Sequence, residues 1–279
     1  EESWLMKILV TGAEGNVGSA LTQYLVTKGH LVVPFVGSVT DYWNWDKYVG
    51  DFDALIHLAG IAGVRDSIGS AELYYDVNVG GIRNALNWSQ FNSIPRVLYA
   101  SSSNVHEWWL NPYATTKKMC EALATDCNAI GLRFHTIYPG REDMLYQRLL
   151  ANDVSMINIK HRRDYIHIND VCSAIELTLE NYDNLKRNIW LDVGTGYSTS
   201  IVDVAMYLSY KGAYVNNDTP HERIITCADV HWLNKLGWIQ TKDVLARDID
   251  TIADYQDAEV EHDIWELYNV QLDRELNEV

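Results

Sequence analysis

A chain of 279 residues with 47% hydrophobic residues can bury a full core, and suits one large α/β domain or such a domain carrying a smaller lobe. Thirty-eight acidic residues against 22 basic give a formal charge of −16, which argues against a general nucleic-acid or anionic-membrane surface and makes any anionic ligand depend on a local basic pocket. No apolar run approaches the ~18 residues of a membrane span, no signal peptide is visible, and Cys120, Cys127, Cys172 and Cys227 lack zinc-site or disulfide-framework spacing, so no metal and a reducing cytoplasm are expected.

Met6-Lys-Ile-Leu-Val reads as a natural start, and Glu1 to Leu5 are set aside from fold reasoning. Lys7 to Val10 form a short apolar strand that runs directly into Thr11-Gly12-Ala13-Glu14-Gly15-Asn16-Val17-Gly18. Val17, Leu21, Tyr24 and Leu25 then repeat at helical spacing until Gly29. Strand, glycine turn and helix in this order describe a dinucleotide site, in which the glycines admit close backbone approach and the helix N-terminus faces a pyrophosphate. Leu31 to Val36 read as the second strand, yet Val36-Gly37-Ser38 follow it and the first carboxylate is Asp41. No Arg stands nearby for a 2′-phosphate, which leans towards NAD while leaving NADP open. Ala54 to Gly60 form a buried strand ending in small residues, with His57 expected in the core. Residues 71 to 92 predict a long helix, and Arg96 to Ala100 a strand that delivers Ser101, Ser102 and Ser103 to the ligand-binding edge of a parallel sheet.

Asn111 is a good N-cap and Pro112 suits a first helical position, so a helix starts here and sets Tyr113 and Lys117 one turn apart on one face. An ammonium beside a phenol favours proton exchange with a substrate hydroxyl, although the same spacing occurs on ordinary amphipathic helices. Gly131 to Ile137 predict a further strand and 138–144 a loop. In His161-Arg162-Arg163-Asp164-Tyr165-Ile166-His167, Arg163 suits either a diphosphate or a surface pair with Asp164. Ile189 to Val193 give another strand before Gly194-Thr195-Gly196, and helices are expected over 200–211 and 242–256. The acidic stretch 257–279 carries Ile264, Trp265, Leu267, Tyr268 and Leu272 at amphipathic-helix spacing.

Taken in order, Thr11-Gly12-x-x-Gly15-x-x-Gly18, His57-Leu58-Ala59-Gly60, Ser101-Ser102-Ser103, Tyr113-x-x-x-Lys117, Arg163-Asp164-Tyr165-Ile166-His167 and Asp192-Val193-Gly194-x-Gly196 resemble the extended short-chain dehydrogenase/reductase family. Within it the chain looks most like nucleotide-sugar epimerases of the UDP-glucuronate 4-epimerase branch, on Tyr113-Ala-Thr-Thr-Lys-Lys and Gly131-Leu-Arg-Phe-His-Thr-Ile-Tyr-Pro-Gly-Arg-Glu-Asp-Met. The resemblance implies an α/β fold, a doubly wound parallel sheet of Rossmann type with a smaller C-terminal substrate-binding lobe. Residues 6–140 would form the dinucleotide-binding domain, with the chain returning to it at about 161–193. Residues 141–160 and 194–256 would form the lobe, and 257–279 an acidic extension. Ser102, Tyr113 and Lys117 are then the catalytic residues, with Tyr113 as acid/base and Ser102 bonding the sugar hydroxyl.

By the same resemblance NAD meets Gly12, Gly15, Asn16, Val17, Gly18, Ser38, Val39, Leu58, Ala59, Gly60, Asn78, Tyr113, Lys117 and Tyr138. A UDP-sugar meets Ser102, Ser103, Thr136, Arg141, Arg163 and Asp229. Hydride would leave sugar C4 and return to the other face of a 4-keto intermediate. A homodimer through helices 71–92 and 112–129 is also implied. Ser103 and Asn104 replace the Asp-Glu pair of related dehydratases, which disfavours dehydration. The 103–113 connection is short, and Thr219 stands where relatives place a phosphate-binding Arg. The rival readings are an NADP-dependent nucleotide-sugar reductase and a non-catalytic dinucleotide-binding protein.

Overall fold

The computed structural model describes residues 5–185 and 189–247. The expected acidic extension, and most of the helix expected over 242–256, lie outside them. Strands β1 (Lys7–Thr11), β2 (Leu31–Pro34), β3 (Ala54–His57), β4 (Arg96–Ser102) and β5 (Ile130–Phe134) join a later strand, Trp190–Val193, in a six-stranded sheet. Its pairings are all parallel, in the order β2-β1-β3-β4-β5 and then Trp190–Val193 at the edge.

Strand alternation sends side chains to two separate cores, which is the packing that winds helices on both faces. On one side Ile8, Val10, Ile56, Leu98 and Leu132 meet Leu21 and Leu25 of α1 (Asn16–Thr27). On the other, Leu9, Leu55, Val97 and Tyr99 meet Ile82 and Leu86. That second face is covered by one long helical run. It follows α2 (Val64–Ser67) and comprises α3 (Ala71–Tyr74), a π turn (Tyr75–Gly80) and α4 (Gly81–Phe91). Helix α5 (Pro112–Ala124) lies beside it, and its Cys120 and Ala124 enter the same core.

The expected strand over 131–137 divides. After β5 the chain leaves the main sheet at His135, and β6 (Thr136–Tyr138) pairs elsewhere. Beyond α6 (Leu145–Leu150) and β7 (Met156–Asn158), β8 (Arg162–His167) pairs with β6, so this strand belongs to a second sheet. Helix α7 (Ile168–Glu180) then returns to the first core, where Val171 and Ile175 pack, and β9 (Trp190–Val193) completes the main sheet. β10 (Ser198–Ser200) adds to β8, α8 (Ile201–Tyr207) follows, β11 (Ala213–Val215) pairs with β7, and α9 (His231–Lys235) packs back through Leu233. A third core of Tyr138, Leu149, Ile157, Tyr165 and Val204 serves these smaller sheets.

Two expected helices are shorter or absent. The 200–211 helix ends at Tyr207, because Ser209 adopts φ 59° and Tyr210 N–H turns back to the Ala205 carbonyl. Residues 242–247 are not helical: Asp170 accepts the N–H groups of Thr241 and Lys242, and Asp243 accepts those of Leu245 and Arg247.

The junction of the two parts rests on Asp164, which is fully buried. Its carboxylate accepts Thr195 N–H and Oγ1–H at 2.8 Å each, Gly196 N–H at 2.9 Å and Ala228 N–H at 3.0 Å. One side chain of β8 thereby fixes the turn after β9 and the segment carrying Ala228. Asp164→Ala leaves several buried donors unpaired, and a loss of about 3 kcal/mol or more is expected. Urea unfolding checks this, and a midpoint unchanged from the parent would contradict it.

Candidate active site

The glycine turn closes on itself and on the neighbouring strand. Gly12 has φ +67°, and a Cβ there would lie 2.7 Å from Ala59 N. At Gly18 a Cβ would lie 1.9 Å from the Gly12 carbonyl oxygen, so only glycine lets the first turn of α1 sit this close to β1. Gly15 caps α1 without a side-chain hydrogen bond, and the opening N–H groups of a helix have no intrahelical acceptor, so they remain for an anion. The residues fit a dinucleotide pyrophosphate. Gly12, Gly15, Asn16, Val17 and Gly18 all line one cleft of about 390 Å³.

Thr11 and His57 lock the strand ends beneath this turn. Thr11 Oγ1 accepts Ala59 N–H at 3.1 Å and lies 2.8 Å from His57 Nδ1. His57 is buried as expected, and burial, aided by the Lys117 charge, pulls its pKa down to about 3. The loop Gly60–Val64 forms one wall, and Asn78 holds it. Asn78 Oδ1 accepts Ile61 N–H at 2.8 Å, and Nδ2 donates to the Ile61 carbonyl and to Thr116 Oγ1. Asn78 belongs to the π turn, an irregularity that serves the site here.

Opposite stand the ends of β4 and β5. Ser102 Oγ accepts both the backbone N–H and Nδ2–H of Asn104 at 3.2 Å, which leaves its own hydrogen to donate. Asn111 Oδ1 accepts Ala114 N–H at 2.8 Å and Pro112 stands at the first position, so α5 begins as its sequence predicts. Tyr113 and Lys117 both line the cleft, and Lys117 Nζ donates to the Ala100 carbonyl at 2.9 Å. The Tyr113 ring meets Tyr74 edge to face at 6.3 Å, and Tyr74 donates its hydroxyl to the Ala62 carbonyl.

Beneath these groups runs a charged layer that local sequence did not single out. Buried Glu121 accepts Ser101 Oγ–H at 2.8 Å and a two-point contact from Arg133 at 2.7 and 2.9 Å. Asp192 faces His106 at 3.3 Å and His135 at 3.4 Å. Burial opposes its ionisation, but the hydrogen bonds and charges of the two histidines hold its carboxyl far below the usual range.

Of the residues expected at the cofactor, Leu58 and Gly60 line the cleft, and of those expected at the substrate, Ser102, Ser103, Thr136 and Arg141 do so. The cleft wall does not include Ser38, Val39, Ala59, Asn78, Tyr138, Arg163 or Asp229. Ser38 is exposed and bonds Thr40, while Val39 is buried beside Trp45. Ala59 packs into the second core, and Asn78 is occupied by the loop. Tyr138 packs between Tyr146 and His167 in the third core. Arg163 donates to the carbonyls of Arg162 and Ile224, and Asp229 Oδ1 accepts the His231 N–H at 3.0 Å. Glu121 was within reach of sequence reasoning, since it lies one turn beyond Lys117; His106 and His135 carried no such signal.

A glycine-turn cleft at the carboxyl edge of a doubly wound sheet, with serine, tyrosine and lysine on its wall, defines a dinucleotide-dependent enzyme of short-chain dehydrogenase type. The sequence profile described as the NAD dependent epimerase/dehydratase family matches residues 8–194, and the chain belongs to that family. Protein CapI of Staphylococcus aureus is 30% identical over 273 residues, covering 77% of this chain and 79% of the relative. UDP-glucuronate 4-epimerase of Thermodesulfobacterium geofontis (strain OPF15) is 28% identical, covering 62% and 71%. Among solved structures, MoeE5 in complex with UDP-glucose and NAD superimposes with a TM-score of 0.77 at 25% identity, covering 89% of this chain and 99% of that one.

His57 links the site to pH. Its folded pKa lies below the ordinary 6.5, so the unfolded chain binds the extra proton and stability falls as pH drops from 6.5 towards 3. His57→Gln should flatten the decline between pH 6 and 4 by up to about 1.4 kcal/mol per pH unit. Urea midpoints across that range check this, and parallel curves for the two proteins would contradict it.

Proposed function

We propose that the protein is an NAD-dependent C4 epimerase of a UDP-sugar, with a UDP-uronate as the favoured substrate. The carrying observation is that Ser102, Tyr113 and Lys117 share one cleft with the Gly12–Gly18 turn. Bound NAD supplies a hydride acceptor that can give the hydride back to the same carbon. The opening N–H groups of α1 would hold its pyrophosphate, and Lys117, with one N–H on Ala100, keeps two donors for the nicotinamide ribose.

Tyr113 takes the proton of the sugar C4 hydroxyl and later returns it to the ketone oxygen. Ser102 donates its free hydrogen to that oxygen throughout, as its Asn104 contacts leave it able to do. Turning the 4-keto sugar between the two hydride transfers inverts C4 without consuming a reductant.

Arg141 supports the uronate. It lines the cleft within electrostatic reach of Tyr74 and Tyr113, and its guanidinium is suited to bidentate carboxylate recognition. Asp143 occupies it at 2.7 and 2.8 Å, but that pair is largely exposed and of little stabilising worth. Similarity to the UDP-glucuronate 4-epimerase of Thermodesulfobacterium geofontis supports this choice. A second copy of the chain fits the outer face of α4 and α5, where Phe91, Met119 and Leu123 are exposed. Light scattering at micromolar concentration should give a dimer mass, and a monomer would exclude that assembly.

Incubation with NAD and a panel of UDP-sugars, resolved by chromatography, should convert UDP-glucuronate and UDP-galacturonate into each other. Conversion of no UDP-sugar would end the proposal. Tyr113→Phe should lower turnover by about 10²-fold or more while NAD affinity, read by protein fluorescence, stays within about threefold. Unchanged turnover would remove Tyr113 from the chemistry.

A further inference from the structure

Beyond Ser103 and Val64, at the rim of the cleft, the segment 219–224 of the smaller lobe crosses to both walls. Glu222 Oε1 accepts from Arg65 Nε at 2.6 Å, while its Oε2 faces His161 Nδ1 at 3.8 Å and Arg163 Nη2 at 4.0 Å. Arg223, the next residue, donates to Glu107 at 2.7 Å and to the Ser103 carbonyl at 2.8 Å. Asn111 donates to the His221 carbonyl, and His221 meets the Leu110 carbonyl.

Three guanidinium groups therefore gather around Glu222 and Glu107, in a chain whose formal charge is −16. The gathering has an electrostatic cost that these two carboxylates only partly offset. Burial pulls Arg163 below its ordinary range, and the Arg223 and Arg65 charges add to the effect. His161 is lowered by burial and then by Arg163. Arg163 is held by backbone carbonyls, Arg223 by Glu107 and a carbonyl, and Arg65 is largely exposed beyond its single contact. Glu222 is only 17% exposed, and among the described residues its second oxygen has ion-pair partners at 3.8 and 4.0 Å and no hydrogen bond. An oxyanion with more oxygens could serve this cluster better than one carboxylate.

The position of the cluster suits a diphosphate. A sugar placed at Ser102 and Tyr113 would send its diphosphate outward past Ser103 and Val64, towards Arg65, Arg163 and Arg223. Thr219 lies here too, and its Oγ1 is 2.8 Å from His161 Nε2.

We propose that the Glu222 carboxylate occupies the place of a substrate phosphate between Arg65, Arg163 and His161, and competes with the diphosphate of the nucleotide for them. This rests on the reading of the cleft as a nucleotide-sugar site, and adds a competitor built into the chain. Nucleotide entry then exchanges one anion for another, so the basic cluster never stands uncompensated and smaller anions are held off.

The test is calorimetric titration of the whole protein with UDP. Glu222→Gln, and independently Glu222→Ala, should bind UDP about tenfold more tightly than the parent, while NAD affinity stays unchanged. A brace that merely positions the loop would give the opposite sign, with both variants binding UDP more weakly. Weaker or equal binding in both folded variants overturns the proposal, as does absence of UDP binding in all three proteins. Melting temperatures identify a variant that has lost its fold, in which case the other decides. Tighter UDP binding without turnover of any UDP-sugar would leave this inference standing and remove the epimerase reading. Turnover with unchanged UDP affinity would do the reverse.

Discussion

The Glu121 carboxylate, buried beneath α5, is the contact on which the geometry of the site depends. It accepts from Ser101 at the end of β4 and from Arg133 on the adjacent β5, so one side chain fastens the helix to two strands. Two turns back along that helix is Tyr113 and one turn back is Lys117, whose ammonium rests on the Ala100 carbonyl of the same β4. Ser102 follows Ser101 directly. A buried ion pair with this many partners fixes relative position more than it adds stability. Here the fixed quantity is the placement of a phenol and an ammonium relative to a serine hydroxyl.

Parallel pairing does the rest. In the main sheet every strand ends at the same edge, and the turns after β1, β3, β4 and β5 reach the cleft. β1 brings the glycine turn, β3 the small residues before Gly60–Val64, β4 the serines, and β5 the approach to His135 and Thr136. Thr11 and His57 tie the first two of these ends together, and Glu121 and Arg133 tie the last two. The smaller lobe is joined to this edge through Asp164 and through Arg223 on Ser103. The edge that carries the cleft thus shares contacts that also hold the two parts of the molecule together.

What was legible in the sequence was carried by neighbouring residues. Asn111 and Pro112 announce the start of α5, and the glycines at 12, 15 and 18 announce a turn that needs glycine at 12 and 18 to close, since each signal lies within a few positions of its consequence. The apolar strands were legible too, because burial on both faces leaves continuous hydrophobic runs. The departure of the chain from the main sheet at His135 was not, because Thr136 to Tyr138 continue the same β-favouring pattern and only their partner changes. Nor were contacts such as Arg65 with Glu222, or Arg223 with Ser103, whose partners lie more than a hundred residues apart. Tyr138 and Asn78 show the same limit: the packing of one in the third core and the hold of the other on Ile61 are set by residues distant in the chain.

In the proposed reaction hydride leaves C4 of a UDP-sugar and returns to that same carbon while Tyr113 carries the hydroxyl proton. UDP-glucuronate deuterated at C4 measures this directly when the product is read by mass spectrometry and proton NMR. The account predicts UDP-galacturonate that keeps its deuterium at C4 in water. Loss of the label to solvent, or a product with C4 uninverted, would contradict it.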